Sequence, residues 1–76
     1  MILSKSVGQP QLAAALEEAR RSAFSTLHEA IECANYRFST GENQWIVLGD
    51  AGAYWVVSPA AARQLVGAGY SLAFGN

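Results

Sequence analysis

Residues 45–59, W-I-V-L-G-D-A-G-A-Y-W-V-V-S-P, hold both tryptophans of the chain, one of its three tyrosines and four valine or isoleucine residues. Trp45–Leu48 and Tyr54–Val57 are runs of β-branched and aromatic side chains, and Asp50-Ala51-Gly52 lies between them. Such runs favour strands, and a three-residue loop in which a type I turn ends on a left-handed Gly52 joins them as an antiparallel β-hairpin. That loop fixes the register, pairing Leu48 with Tyr54, Val47 with Trp55, Ile46 with Val56 and Trp45 with Val57. Side chains alternate across a sheet, so Trp45, Val47, Trp55 and Val57 share one face, and Ile46, Leu48, Tyr54 and Val56 share the other.

Both faces are apolar. A hairpin with one wet face alternates apolar with polar residues, so this one needs cover on both sides. Four large uncovered side chains would forgo roughly 1.5 to 3 kcal/mol each, comparable to the whole stability of a small domain. The tryptophan face is assigned to the core, with Leu16, Leu27, Ile31 and Leu65 from the flanking helices. The second face, with Tyr54, Leu48, Ile46 and Val56, is assigned to an interaction. Its cover is the chain's own ends, a second copy or a different protein.

Upstream of the hairpin, Leu12, Leu16, Ala19, Ala23, Leu27, Ile31 and Ala34 recur at spacings of three and four. That period is an amphipathic helix, with Pro10 suited to its first turn. Thr26 and Glu29 fit a capping box, so residues 10–35 form either one helix with a bend near Ser22–Ser25 or two helices; the unbroken stripe favours one. Residues 1–9 read as an edge strand or a tail, and Ser39–Asn43 as a loop. Downstream, Ser58 and Pro59 open a short helix that Gly67 and Gly69 end, with Gly69 left-handed so that Tyr70 folds back onto it. Ser71–Phe74 can add a short strand. The expected fold is α+β, a single domain over 1–76: a long N-terminal helix, kinked or split, an antiparallel hairpin, a short second helix and a short terminal strand.

The chain has 76 residues, of which 51% are hydrophobic and 14% charged, with a net charge of −1. This is too apolar for disorder and lean in charge for the surface of a small monomer. The amino terminus carries no signal-peptide core, and no uncharged run is long enough to span a bilayer, so the reading is a cytoplasmic protein without a membrane partner. The lone Cys33 and lone His28 complete neither a disulfide nor a zinc site.

No catalytic, cofactor-binding or metal residues are assigned. Five helical residues turn through roughly 500°, which holds His28 and Cys33 about 140° apart and out of reach of one another. His28 with Glu32 is a solvated helix pair, and Glu17, Glu18, Glu29 and Glu32 have the spacing of a wet face. The glycines match no phosphate loop; each is given to a turn or a cap. Trp45, Tyr54 and Trp55 could stack bases, but Lys5, Arg20, Arg21, Arg37 and Arg63 are scattered, so nucleic acid is not the expected partner unless Arg20, Arg37 and Arg63 converge. No small-molecule substrate is evident.

Residues 45–70, W-I-V-L-G-D-A-G-A-Y-W-V-V-S-P-A-A-A-R-Q-L-V-G-A-G-Y, resemble the hairpin-plus-helix ending of small accessory proteins of phages, plasmids and integron cassettes. The resemblance covers about a third of the chain and rests on fold determinants. It implies an architecture and a mobile-element setting, and it transfers no site residue. Such proteins include inhibitors of host defence, among them anti-CRISPR proteins, which act by occupying a surface on a larger complex. The expected function is therefore a non-enzymatic protein-interaction module, with a self-associating homodimer as the alternative.

Overall fold

The computed structural model describes the backbone of residues 2–74 and the side chains of residues 10–74. In chain order the elements are α1 (Ile2–Arg21), β1 (Ala23–Phe24), α2 (Leu27–Ser39), β2 (Trp45–Leu48), a tight turn (Asp50–Gly52), β3 (Tyr54–Val57), α3 (Pro59–Gly67) and β4 (Ser71–Phe74). The strands form one antiparallel sheet in the order β1-β3-β2-β4, so the fold is α+β. The hairpin has the register its loop imposes, with Trp45 opposite Val57, Ile46 opposite Val56, Val47 opposite Trp55 and Leu48 opposite Tyr54.

The N-terminal helix is split. α1 ends at Arg21, the chain passes through β1, and α2 begins behind Thr26, whose hydroxyl accepts from the Glu29 amide at 3.2 Å. The other half of the expected capping box differs: the Glu29 carboxylate accepts from the Thr26 and Ser25 hydroxyls rather than from the Thr26 backbone. Ala23, read as part of a helical stripe, is instead paired with Trp55, and the Ser22 carbonyl accepts from the Val56 amide at 3.0 Å. An open β3 edge offers these backbone groups sheet partners, and that tertiary gain overrides a continuous apolar period.

The start of α1 is also a correction. Residues 2–9 are helical, neither strand nor tail, and Pro10 lies inside the helix rather than at its first turn. An interior proline removes one N–H bond and costs about 3 kcal/mol, but a helix can continue through it with that one bond missing.

Splitting the helix places cover on both faces of the sheet. On one face, α1 supplies Ala15 and Ala19 and α3 supplies Ala61, Ala62 and Leu65 to a core with Val47, Trp55 and Val57, flanked by Leu12, Leu16, Trp45 and Tyr70. On the other, α2 lays Ala30 and Ala34 over Ile46 and Val56, flanked by Phe24, Ile31, Cys33 and Tyr54. The alanines let the helix backbones approach the large sheet side chains closely. Leu27, assigned to the core from the stripe, is 37% exposed because it opens α2 beyond the sheet.

Two tertiary contacts tie the layers together. Glu18 on α1 accepts from the Ser58 amide at 2.6 Å, so its carboxylate sits at the N-terminus of α3, where Ser58 also caps the Ala61 amide. Arg37 on α2 donates to the Ser22 hydroxyl and, at 2.9 Å, to Gln44 ahead of β2. At the other end of α3 the Tyr70 amide donates to Leu65 and the Gly69 amide to Val66, with Gly69 at φ +111, the left-handed cap expected there. The Tyr70 ring then tilts against Trp55 at 5.1 Å between centroids.

Candidate interaction surface

The hairpin face assigned to a partner is largely closed. Ile46 and Val56 are fully buried beneath α2 and cannot meet another molecule, and Tyr54 is half-buried against the same alanines. Leu48 keeps 38% of its surface, out beyond the end of that helix cover. The expectation failed on a helix count: a single N-terminal helix can cover one face, whereas the split pair covers two.

The exposed apolar surface lies elsewhere. All four residues of β4 are exposed, with Leu72 at 44% and Phe74 at 47%, and on α2 Phe38 is 68% exposed. β4 is the outer strand of the sheet, hydrogen-bonded only to β2, so its outward backbone groups have no strand partner among the described residues. Its register with β2 shifts between Ile46 and Val47: Leu72 opposes Val47 and Phe74 opposes Ile46, with Ala73 the extra residue of a bulge. The shift turns Leu72 towards the α1–α3 face and Phe74 towards the α2 face. There Phe74 and Phe38, with Ala34, Asn35, Asn43 and Gln44, line a cavity of about 190 Å³.

This corner is bare because one helix is too narrow to cover the whole sheet. Strands stand ~4.8 Å apart and a helix with its side chains is ~10 Å across, so one helix covers about two strands. α2 lies over β1, β3 and β2, and β4 is left outside it. The sequence pattern predicts a strand at Ser71–Phe74 but gives it no role, and Phe38 does not stand out in it. Two signals were present: no charged residue follows Arg63, and Phe38 continues the Ala30–Ala34 stripe at the next i+4 position.

Among the described residues no group of three or more His, Cys, Asp or Glu side chains could hold a metal ion. His28 pairs with Glu32 at 3.3 Å on the wet face of α2, while Cys33 packs as a free thiol beside Ala30 and Ala34. Glu18 is taken up by Ser58. Arg37 lies on the opposite side of the sheet from the helices that carry Arg20 and Arg63, so these three do not converge on a basic track. Gly49 has a role other than a turn: its Cβ would sit 2.2 Å from the Trp55 indole, so only glycine admits that ring. No helix among the described residues is long and apolar enough to cross a membrane. Compared with known protein families, curated proteins and solved structures, the chain matches none of them.

Proposed function

We propose that this chain is a non-enzymatic protein-interaction module that associates through the open edge of β4. One observation carries the reading: a four-residue edge strand, uncharged and exposed along its whole length, flanked by Leu72 on one face and by Phe74 and Phe38 on the other. Edge strands in proteins that stay single are blunted by shortness, bulges, charge, proline or a covering element, because unpaired N–H and C=O groups template another strand. β4 is short and bulged, but among the described residues it carries no charge, no proline and no covering element. The proposal keeps the cytoplasmic setting, where Cys33 stays a thiol, and the mobile-element context that the resemblance of residues 45–70 implies.

Leu72→Lys tests the reading by placing a charge on the strand at an already exposed site. Complexes captured with the wild-type chain are expected to be lost with Leu72→Lys and kept with His28→Ala, at the far end of α2. Equal capture by Leu72→Lys and wild type would overturn it.

A further inference from the structure

We infer that residues 22–26 are a two-state hinge: besides the split form, they complete one helix from Ile2 to Ser39, and α1 then docks on a second copy of the chain while that copy's α1 docks here. This exchange is independent of the β4 edge. The observation behind it is the phase of the two helices. α1 buries Ala15 and Ala19, and α2 buries Ala30 and Ala34. Ala19 and Ala30 are eleven residues apart, ~1,100° of helical rotation or about 20° beyond three turns, so a helix built through the break carries all four alanines on one side. Two helices separated by a strand need no common phase, whereas one helix does.

One arrangement of two copies uses that phase. α1 and α2 lie on opposite faces of the sheet, and residues 22–26 pass round its β1 edge. α2 stays on its own sheet, because only residues 40–44 join it to β2. A straightened helix therefore carries α1 off that sheet and past the β1 edge. With a two-fold axis in the plane of the sheets, between the two β1 edges, each long helix lies on its own sheet through α2 and on the opposite face of the other copy's sheet through α1. Both contacts fall on one side of the helix, as the alanine phase requires. The contacts of α1 recur between copies: Ala15 and Ala19 in the core with Trp55 and Leu65, Glu18 on Ser58 and Gln11 on Gln64.

The two forms differ only across the hinge. The split form has Ala23 and Phe24 paired with Trp55 and Tyr54, the Val56 amide bonded to the Ser22 carbonyl, the Thr26 cap, and Arg37 held on the buried Ser22 hydroxyl. The joined form has the helical bonds that the last carbonyls of α1 and the first amides of α2 otherwise lack. Residues 22–26, Ser-Ala-Phe-Ser-Thr, contain neither glycine nor proline to oppose it. Exchanging an identical element needs no interface beyond the one already built, so protein concentration decides between the forms.

Disulfide trapping on the full chain, with Cys33→Ser throughout, is the test. One chain carries Gln11→Cys and the other Gln64→Cys, positions whose native side chains are hydrogen-bonded at 3.3 Å. The two are unfolded in urea, refolded together at high concentration and oxidised, beside a control pair of Gln11→Cys with His28→Cys. The expected product is a cross-linked heterodimer at least tenfold above the control. Adding Ser25→Pro to both chains should lower it at least tenfold, because proline blocks the joined helix and holds Phe24 extended as in β1. Ser22→Ala, which removes the Arg37 contact, should raise it at least twofold, and it probes the hinge even if Ser25→Pro fails to fold by circular dichroism. Leu72→Lys should leave the yield unchanged, which separates exchange from association at β4. Cross-linking no higher than the control overturns the exchange. So does a yield that Ser22→Ala does not raise, that folded Ser25→Pro does not lower, or that Leu72→Lys abolishes.

Discussion

The two faces of the sheet are covered by different amounts of helix. Above Val47, Trp55 and Val57 lie two helices, and their alanines and Leu65 close around an indole that also meets Tyr70. Beneath Ile46 and Val56 lies one helix, contributing Ala30 and Ala34. The two-helix face buries its strands through Leu65 and leaves no cluster of exposed rings, whereas the one-helix face runs out at β4 and leaves Phe38 and Phe74 in water. The thicker core lies on the first face and the bare apolar rings on the second.

Truncating the centre of the thicker core should have the largest effect. Trp55→Ala removes the ring on which Gly49, Tyr70 and the alanines of α1 and α3 converge, and should destabilise by about 3 to 5 kcal/mol in chemical denaturation. A loss under 1 kcal/mol would mean that the two faces do not differ in the way described. The thinner layer is probed in the opposite sense. Ala30 is fully buried between α2 and the strands, so Ala30→Leu must push the helix outward, at a cost of about 1 to 3 kcal/mol. Neutral behaviour there would show that α2 is loosely seated.

How much of this was legible in the sequence differs between the same two faces. The hairpin register followed from alternation and loop length alone, and the tryptophan face follows from the register; both are local in sequence. The caps at Ser58 and Gly69 were equally local. The second face was illegible because its cover depends on a helix break whose signal, Thr26 with Glu29, competes with an apolar stripe that runs straight across it. Nothing within residues 22–26 announces a two-residue strand, since β1 exists only because the edge of β3 is there to pair with it. The burial of Ile46 and Val56 was illegible for the same reason. Once α2 is a separate helix, Ile46 and Val56 become core and the bare strip moves one strand outward to β4.

A smaller effect is expected where α1 is pinned to α3. Glu18 accepts from the Ser58 amide at 2.6 Å, a charge-assisted bond at a helix N-terminus, so Glu18→Gln should lower stability by about 1 kcal/mol. The α2 layer does not share this contact, and Ala30→Leu combined with Glu18→Gln should give additive losses in urea melts. Coupling between them would mean that the layers are not independent.

The hairpin tip offers a gain. Ala51 sits at φ 57, ψ 28 and Gly52 at φ 75, two left-handed residues in succession where a single one at Gly52 was expected. That is type I′ geometry, favourable to the twist of a hairpin and unfavourable to alanine. Ala51→Gly should therefore stabilise by about 0.5 kcal/mol, the relief of strain being partly offset by glycine's greater freedom when unfolded. A loss of stability in thermal melts would show that Ala51 is not left-handed in solution.

The smallest expected effect joins that tip to the thicker core and depends on pH. Tyr70 donates its hydroxyl to the Asp50 carboxylate at 3.1 Å, and this hydrogen bond, with burial and the negative charge of Asp50 adding to it, raises the phenol above its ordinary value of 10.0. Ionising the phenol would remove the donor and set a second negative charge against Asp50. The folded-state value lies above the unfolded one, so the contact contributes in full below about pH 10 and is lost as pH rises through the raised value. Melting temperatures of wild type and Tyr70→Phe should differ by a constant amount from neutral pH to about pH 9 and converge above 10, the variant serving to subtract the other tyrosines and the lysine. The Trp55 contact is retained by phenylalanine, so it cancels in the comparison. A gap that widens with alkaline pH would reverse the sign of the linkage and remove the hairpin tip from the structure that holds the two-helix face together.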